Sequence, residues 1–488
     1  MAEPLIPKES VLRLILGAIV TVITSPWRAL RWFGRGVRRR ARVLLYILIV
    51  LVAVHLVATL ITGLMLKREL ASLRASGFIL NASQLAPKVP PGKPNAADTY
   101  QKAFDARRVS NEDDAKLAYG KSGAEWSPEQ AALVGRVVSD NRGYLRLIEE
   151  ASRTPDCAFP VKWNAGPGEM VFTHFAKMRD AVRMLGLRAG LKSRDGKIDA
   201  ALADCAAMLR IADHMTAEPT LIGQLVAYAV EGMAVKSVQY ALSAGDPSPA
   251  AARQLMDQIA AVELIAPSIR SMKGEISLFG LPVFDMMRHG RAGEVAAMTG
   301  DGTSDQWRGR LFRVFGTIGW PLANLDEITY LRIMKAQVDG FALPWPASNT
   351  TFESLTKRTE STPIYRGLLT RMITPVFSRA AWSREKTAAN LGDARIALAL
   401  VIYKSQRGAY PDSLAQLEQA GFKLPADPFG GKPFRYRREG AGFMVYSVGA
   451  DMVDQGGLPP AWDLRSPLSP KDMELRKDHY DLPFTRTR

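Results

Sequence analysis

The sequence predicts a mainly α-helical protein with a single transmembrane helix, an exported helical-bundle body and a small α+β module near its C-terminal end. Three observations carry this reading. An uncharged apolar run lies near the start of the chain. Amphipathic stretches with marked caps fill the middle. The composition shifts towards Gly, Pro and alternating aromatic residues after Ser405. The 488 residues are 47% apolar and 23% charged, which excludes a wholly disordered, collagen-like or disulfide-dense chain. One such run also excludes a multi-span transporter.

The run is Val43 to Leu66, VLLYILIVLVAVHLVATLITGLML, 24 residues without a formal charge. As a helix it extends roughly 36 Å, enough to cross a hydrocarbon core of about 30 Å. It is longer than the apolar region of a cleavable signal and lies further from the start, so a retained anchor is expected. Arg28, Arg31, Arg35, Arg38, Arg39, Arg40 and Arg42 crowd its N-terminal side, whereas Lys67-Arg68-Glu69 follows it. The positive-inside rule then places residues 1–42 in the cytoplasm and the remainder outside, in a bacterial inner membrane. The formal charge is +16, from 64 Lys and Arg against 48 Asp and Glu. Residues 1–42 hold nine of those bases and two acids, a local +7, and anionic lipid headgroups are the expected partner. Nucleic acid is the rival partner for a basic run, but an arginine cluster beside a membrane needs none. Leu14 to Ser25 is apolar but too short to span, and reads as an interfacial helix.

Lys88 to Asn95, KVPPGKPN, cannot be helical and separates a stalk from the body. Ser127-Pro128-Glu129-Gln130 supplies a cap, a proline at the first helical position and a capping-box Gln, and Ser248-Pro249 repeats the first two. Between them three amphipathic helices are expected, near Phe172–Lys192, Ile198–Met215 and Leu221–Leu242. Residues 291–310 read as a loop, and helical patterning resumes near Asn324–Val338. A long helix follows from about Arg379 to Ser405. The resulting limits are 1–42 basic segment, 43–66 span, 67–98 stalk and connector, 99–290 helical domain, 291–378 loop and further helices, 379–465 α+β module and 466–488 tail.

Cys157 and Cys205 could pair in an exported domain or remain buried thiols. His174, His214, His289 and His479 form no HExxH or close pair, and no GxSxG, Walker A loop or CxxC occurs. Asp199 with Asp204, or Asp326 with Glu327, read better as helix faces or caps than as acid–base pairs. An enzyme is therefore the less favoured class, and its groups would have to converge only in three dimensions.

In the last module Asp412–Ala420 is a short helix, Pro425–Lys432 a turn-rich loop, and Pro433–Arg437 and Phe443–Val448 a hairpin turning at Gly440–Gly442. The segments ALALVIYKSQRGAYPDSLAQL, DPFGGKPFRY and YSVGADMVDQGG resemble, in that order, the C-terminal half of the type II secretion major pseudopilin. The resemblance covers about Ala394–Gly457. It implies a calcium-binding last loop, with Asp451 as the matching carboxylate and Val448 as the matching backbone carbonyl. Asp454 and Asp463 are further acids within reach in sequence. The chain departs from that family at Leu458-Pro459-Pro460, where acids are expected, and at Met444. Its anchor lies far upstream, so a pilus-type subunit is not implied. The whole layout, with Asn95-Ala96-Ala97 and Glu218-Pro219-Thr220-Leu221-Ile222, resembles uncharacterised single-pass membrane proteins of planctomycete and verrucomicrobial type, which implies architecture without an activity. The expected role is binding or scaffolding of an envelope protein partner, linked to secretion. The alternatives are an envelope hydrolase and nucleic-acid binding through the arginine arm.

Overall fold

A computed structural model describes residues 37–117, 119–167, 169–291, 293–295, 319–374, 377–459 and 481–486. The apolar run at 14–25, the arginines before residue 37, most of the 291–310 loop, Asp463 and His479 lie outside the described residues. The chain divides into two compact units, Met1–Met65 and Leu66–Arg488.

In the first unit helix α1 (Val37–Ala75) begins, with most of its side chains from Val43 to Met65 facing outwards; Leu51 and Leu60 are 61% and 63% exposed. Among the described residues two helices are long and apolar enough to cross a membrane. The most apolar window of Val43–Ala75 has no buried residue, and half of that of Leu221–Ala244 is buried within the body.

In the second unit α1 continues to Ala75, nine residues past the expected end of the apolar run, because Leu66 and Leu73 bury in a core there and Glu69 pairs with Arg332 at 2.9 Å. A Schellman motif ends it: Gly77 takes a positive φ, and Phe78 N–H donates to the Leu73 carbonyl. Next come α2 (Ala96–Ala106), α3 (Asn111–Lys116), α4 (Pro128–Asp140) and α5 (Arg142–Arg153). The capping box of Ser127 and Gln130 forms as the sequence predicts. The three long amphipathic stretches become α6 (Thr173–Arg194), α7 (Ile198–Thr216) and α8 (Leu221–Ala244), each within two residues of expectation. Then follow α9 (Pro249–Ala260), α10 (Ile265–Glu275), a π-helical turn at Ile276–Gly280, α11 (Leu281–Arg288), α12 (Trp320–Phe341), α13 (Ala347–Ser361), α14 (Ile364–Ile373), α15 (Phe377–Arg407) and α16 (Leu414–Gln419).

Strands β1 (Arg435–Glu439), β2 (Gly442–Ser447) and β3 (Leu482–Arg486) form one antiparallel sheet in the order β1-β2-β3. Gly440, at positive φ, and Ala441 make the hairpin turn. β3 lies in the segment expected to be a tail. Its Pro483 is tolerated because, among the described residues, β3 has no ladder partner on its other side. The body and the C-terminal module share one core: Met184, Met208 and Val238 of the helices lie in the same buried cluster as Leu398, Phe434, Phe443 and Phe484. A second cluster gathers Leu73, Met272, Phe284, Leu331, Phe341 and Leu369.

Candidate binding groove

The Gly-rich loop after β2 is organised by carboxylates that accept backbone N–H groups. Buried Asp427 accepts from Phe429 N at 3.0 Å, Ser447 Oγ at 2.8 Å and Val448 N at 3.0 Å. Buried Asp481 accepts from Gln455 N, Gly457 N and Leu458 N at 3.1, 2.7 and 3.2 Å. Two of the four residues named for calcium, Asp451 and Asp454, are engaged in the same way. Asp451 accepts from Val453 N and the Gln455 side-chain amide, at 3.1 and 2.6 Å. Asp454 accepts from Tyr446 Oη and Gly456 N, both at 2.9 Å, and pairs with Arg435 at 3.0 Å. Among the described residues no three His, Cys, Asp or Glu side chains gather to hold an ion. As held here, Asp451 and Asp454 offer a cation no open pair of oxygens. Asp427 was visible in the sequence as the Asp of DPFGG. Asp481 carried no pattern, because its partners lie more than 20 residues upstream.

Elsewhere the residues weighed as catalytic serve the fold. Asp204 pairs with Lys192 at 2.8 Å and accepts from Arg188 Nε at 3.2 Å. Asp199 accepts from Ser248 N at 2.7 Å, Asp326 from Leu369 N at 2.8 Å, and Glu327 pairs with Arg288. Cys157 and Cys205 are buried, unpaired thiols. Burial, reinforced by Glu218, pushes the Cys157 thiol up to about 12.

Two of the histidines do meet partners in a buried polar nest. Tyr100 Oη lies 2.9 Å from His214 Nδ1, and His214 Nε2 lies 2.9 Å from the Thr154 carbonyl. The carbonyl can only accept, so Nε2 carries the proton and Nδ1 accepts from the tyrosine. His174 Nε2 and Glu218 Oε1 stand 3.0 Å apart without hydrogen-bond alignment, and Phe159 stacks on the His174 ring at 4.2 Å. The two segments singled out in the sequence flank this nest. Asn95 bonds the Ala158 N–H and carbonyl beside Cys157. Glu218-Pro219-Thr220 is a turn clamped by Gly274, whose missing Cβ would lie 1.8 Å from the Pro219 oxygen, and by Glu275, which accepts from Leu221 N at 2.7 Å. A protonated thiol beside a closed His–Glu pair is poorly prepared for nucleophilic chemistry.

The open chemistry lies between α8, α15 and β3. A groove of about 430 Å³ runs between Tyr228, Gly232 and Gln239 of α8, Trp382, Asn390 and Asp393 of α15, and the β3 residues Leu482–Phe484. A second hollow of about 420 Å³, walled by α6, shares Ala229, Gly232 and Lys236 with it. Small residues make the floor: a Cβ added at Gly232 would meet nothing within 4 Å. Asp393 lies at the inner end, 2% exposed, with one carboxylate oxygen unpartnered. Burial, reinforced by nearby Asp427, holds its carboxyl well above the usual range. Gly392 beside it lets Phe434 pack closely, since a Cβ would come within 2.6 Å of that ring. Gln239 donates to the Thr485 carbonyl at 3.2 Å and ties β3 to α8. The sequence offered no route to this site, because its three walls are up to some 250 residues apart in the chain. No family model, curated protein or solved structure matches the chain.

Proposed function

We propose that this chain is a membrane-anchored envelope protein that binds or scaffolds a protein partner, with an exported helical body, a pseudopilin-like C-terminal module and a link to secretion. The observation that carries the reading is α1, whose most apolar window has no buried residue and which has an arginine-rich segment before it in sequence. That flank directs the N-terminus to the cytoplasm and the body to the periplasmic side. The groove between α8 and α15 supports a binding role, because it is open, mixed in polarity and floored by small residues. Protease treatment of spheroplasts tests the orientation: the module is expected to be cut, and its protection would overturn export. A photo-crosslinking residue placed at Gly232 tests the groove. A discrete adduct is expected, and its absence at Gly232 and Asn390 alike would remove the binding role.

A calcium ion at Val448, Asp451, Asp454 and Asp463 belongs to this reading only if the loop re-forms around it, releasing Gln455 and Arg435 from the carboxylates. A calcium-dependent rise in melting temperature is the check. Hydrolysis finds one supporting observation, the His174–Glu218 pair beside Cys157, and nucleic-acid binding would rest on the arginine arm.

A further inference from the structure

The corner between α13 and α14 joins two features that rarely share a surface. Ile364 and Tyr365 are adjacent at its tip and are 51% and 52% exposed. Around them Lys357, Arg358, Arg366 and Arg371 are all exposed, and among the described residues none of these four makes an ion pair. Elsewhere in the body exposed Arg437 pairs with Glu439 at 2.7 Å, whereas exposed Lys102 and Arg146, like the four of the corner, make no ion pair among the described residues. The acids of the corner are Glu353 and Glu360, so cations exceed anions two to one.

The corner is also rigidly presented. The Thr362 hydroxyl donates to the Arg358 carbonyl and closes α13. Gly367 lets the chain fold back, because a Cβ there would lie 2.5 Å from Thr362 Cγ2. The Asp326 carboxylate accepts from Leu369 N and Thr370 N, which pins α14 against α12. An ordered apolar and aromatic tip within a collar of free cations matches the layering of an anionic bilayer surface, where the ring and alkyl groups sit at the headgroup boundary and the cations meet phosphates.

We propose that the α13–α14 corner is a docking surface for anionic lipid, with Ile364 and Tyr365 entering the interface and Lys357, Arg358, Arg366 and Arg371 binding the headgroups. The site is independent of the groove and of the direction in which α1 is inserted.

The test uses the full chain in vesicles. Ile364→Cys is labelled with a polarity-sensitive fluorophore, and the unsubstituted chain, whose two cysteines are buried, serves as the labelling control. In phosphatidylcholine containing one-quarter phosphatidylglycerol, the emission shifts to the blue and is quenched by nitroxide-bearing lipid. In pure phosphatidylcholine the quenching falls at least about fivefold. Half-molar salt, or the triple change Lys357→Glu, Arg366→Glu and Arg371→Glu, lowers it to that same level without changing the melting temperature. A label equally wet in both lipids overturns the proposal. So does quenching that ignores lipid charge and salt, or a blue shift that requires an added protein instead of lipid.

Discussion

At the scale of single residues, the most constrained position is Gly274. Its α-carbon faces the Pro219 carbonyl so closely that a methyl group has no room. Gly274→Ala should cost at least about 2 kcal/mol, at the upper part of the range for overpacking. Thermal unfolding in detergent measures it, and an unchanged midpoint would show that the Glu218–Leu221 turn can slide. Its neighbour Glu275 makes a pH prediction. Burial pushes its carboxyl up to about 7, against the pull of the Leu221 N–H. The folded state therefore binds this proton more tightly than the unfolded chain. Its contribution to stability is complete below about pH 4.5 and is lost as pH rises towards 7. Glu275→Gln should flatten that stretch of the profile and leave the protein more stable than the parent at pH 8. A parallel profile would refute it. The sequence revealed local devices such as the Ser127 cap, because cap and partner lie three residues apart. It could not reveal Gly274 or Glu275, whose partners are more than 50 residues away.

Among the elements, the long helices were readable and the last strand was not. α6, α7 and α8 carry a helical period over 19 to 24 residues and bury continuous faces. β3 is five residues with a proline, and only its pairing with β2 makes it a strand. Its first neighbour, Asp481, gathers three N–H groups of the Gly-rich loop. Asp481→Ala leaves all three without that acceptor and should cost about 2–3 kcal/mol. Hydrogen exchange is expected to accelerate at residues 455–458 while α6 and α7 stay protected. Uniform acceleration would mean instead that the loop and the helical body unfold as one. The α+β module was recognisable from its hairpin and turn residues. Its burial in the same core as α8 and α9 was not, since an α15 face that packs on a body reads like one that packs on its own sheet.

For the whole molecule, the long apolar helix was the most legible feature, because hydropathy over 24 residues needs no tertiary partner. Membranes washed with alkaline carbonate should retain the full chain, and a chain beginning at Leu66 should be released. Retention of both would shift the tether to the body itself. The groove stands at the opposite extreme, and its assembly has a temporal side. Arg486 closes onto Asp246 across 240 positions, and β3 supplies one of the groove's three walls. During synthesis α8 and α15 are both made before Leu482 leaves the ribosome, so the cleft lacks its third wall until β3 has been made. A product clipped just ahead of β3 would keep α1 and both helical walls yet present an unfinished cleft.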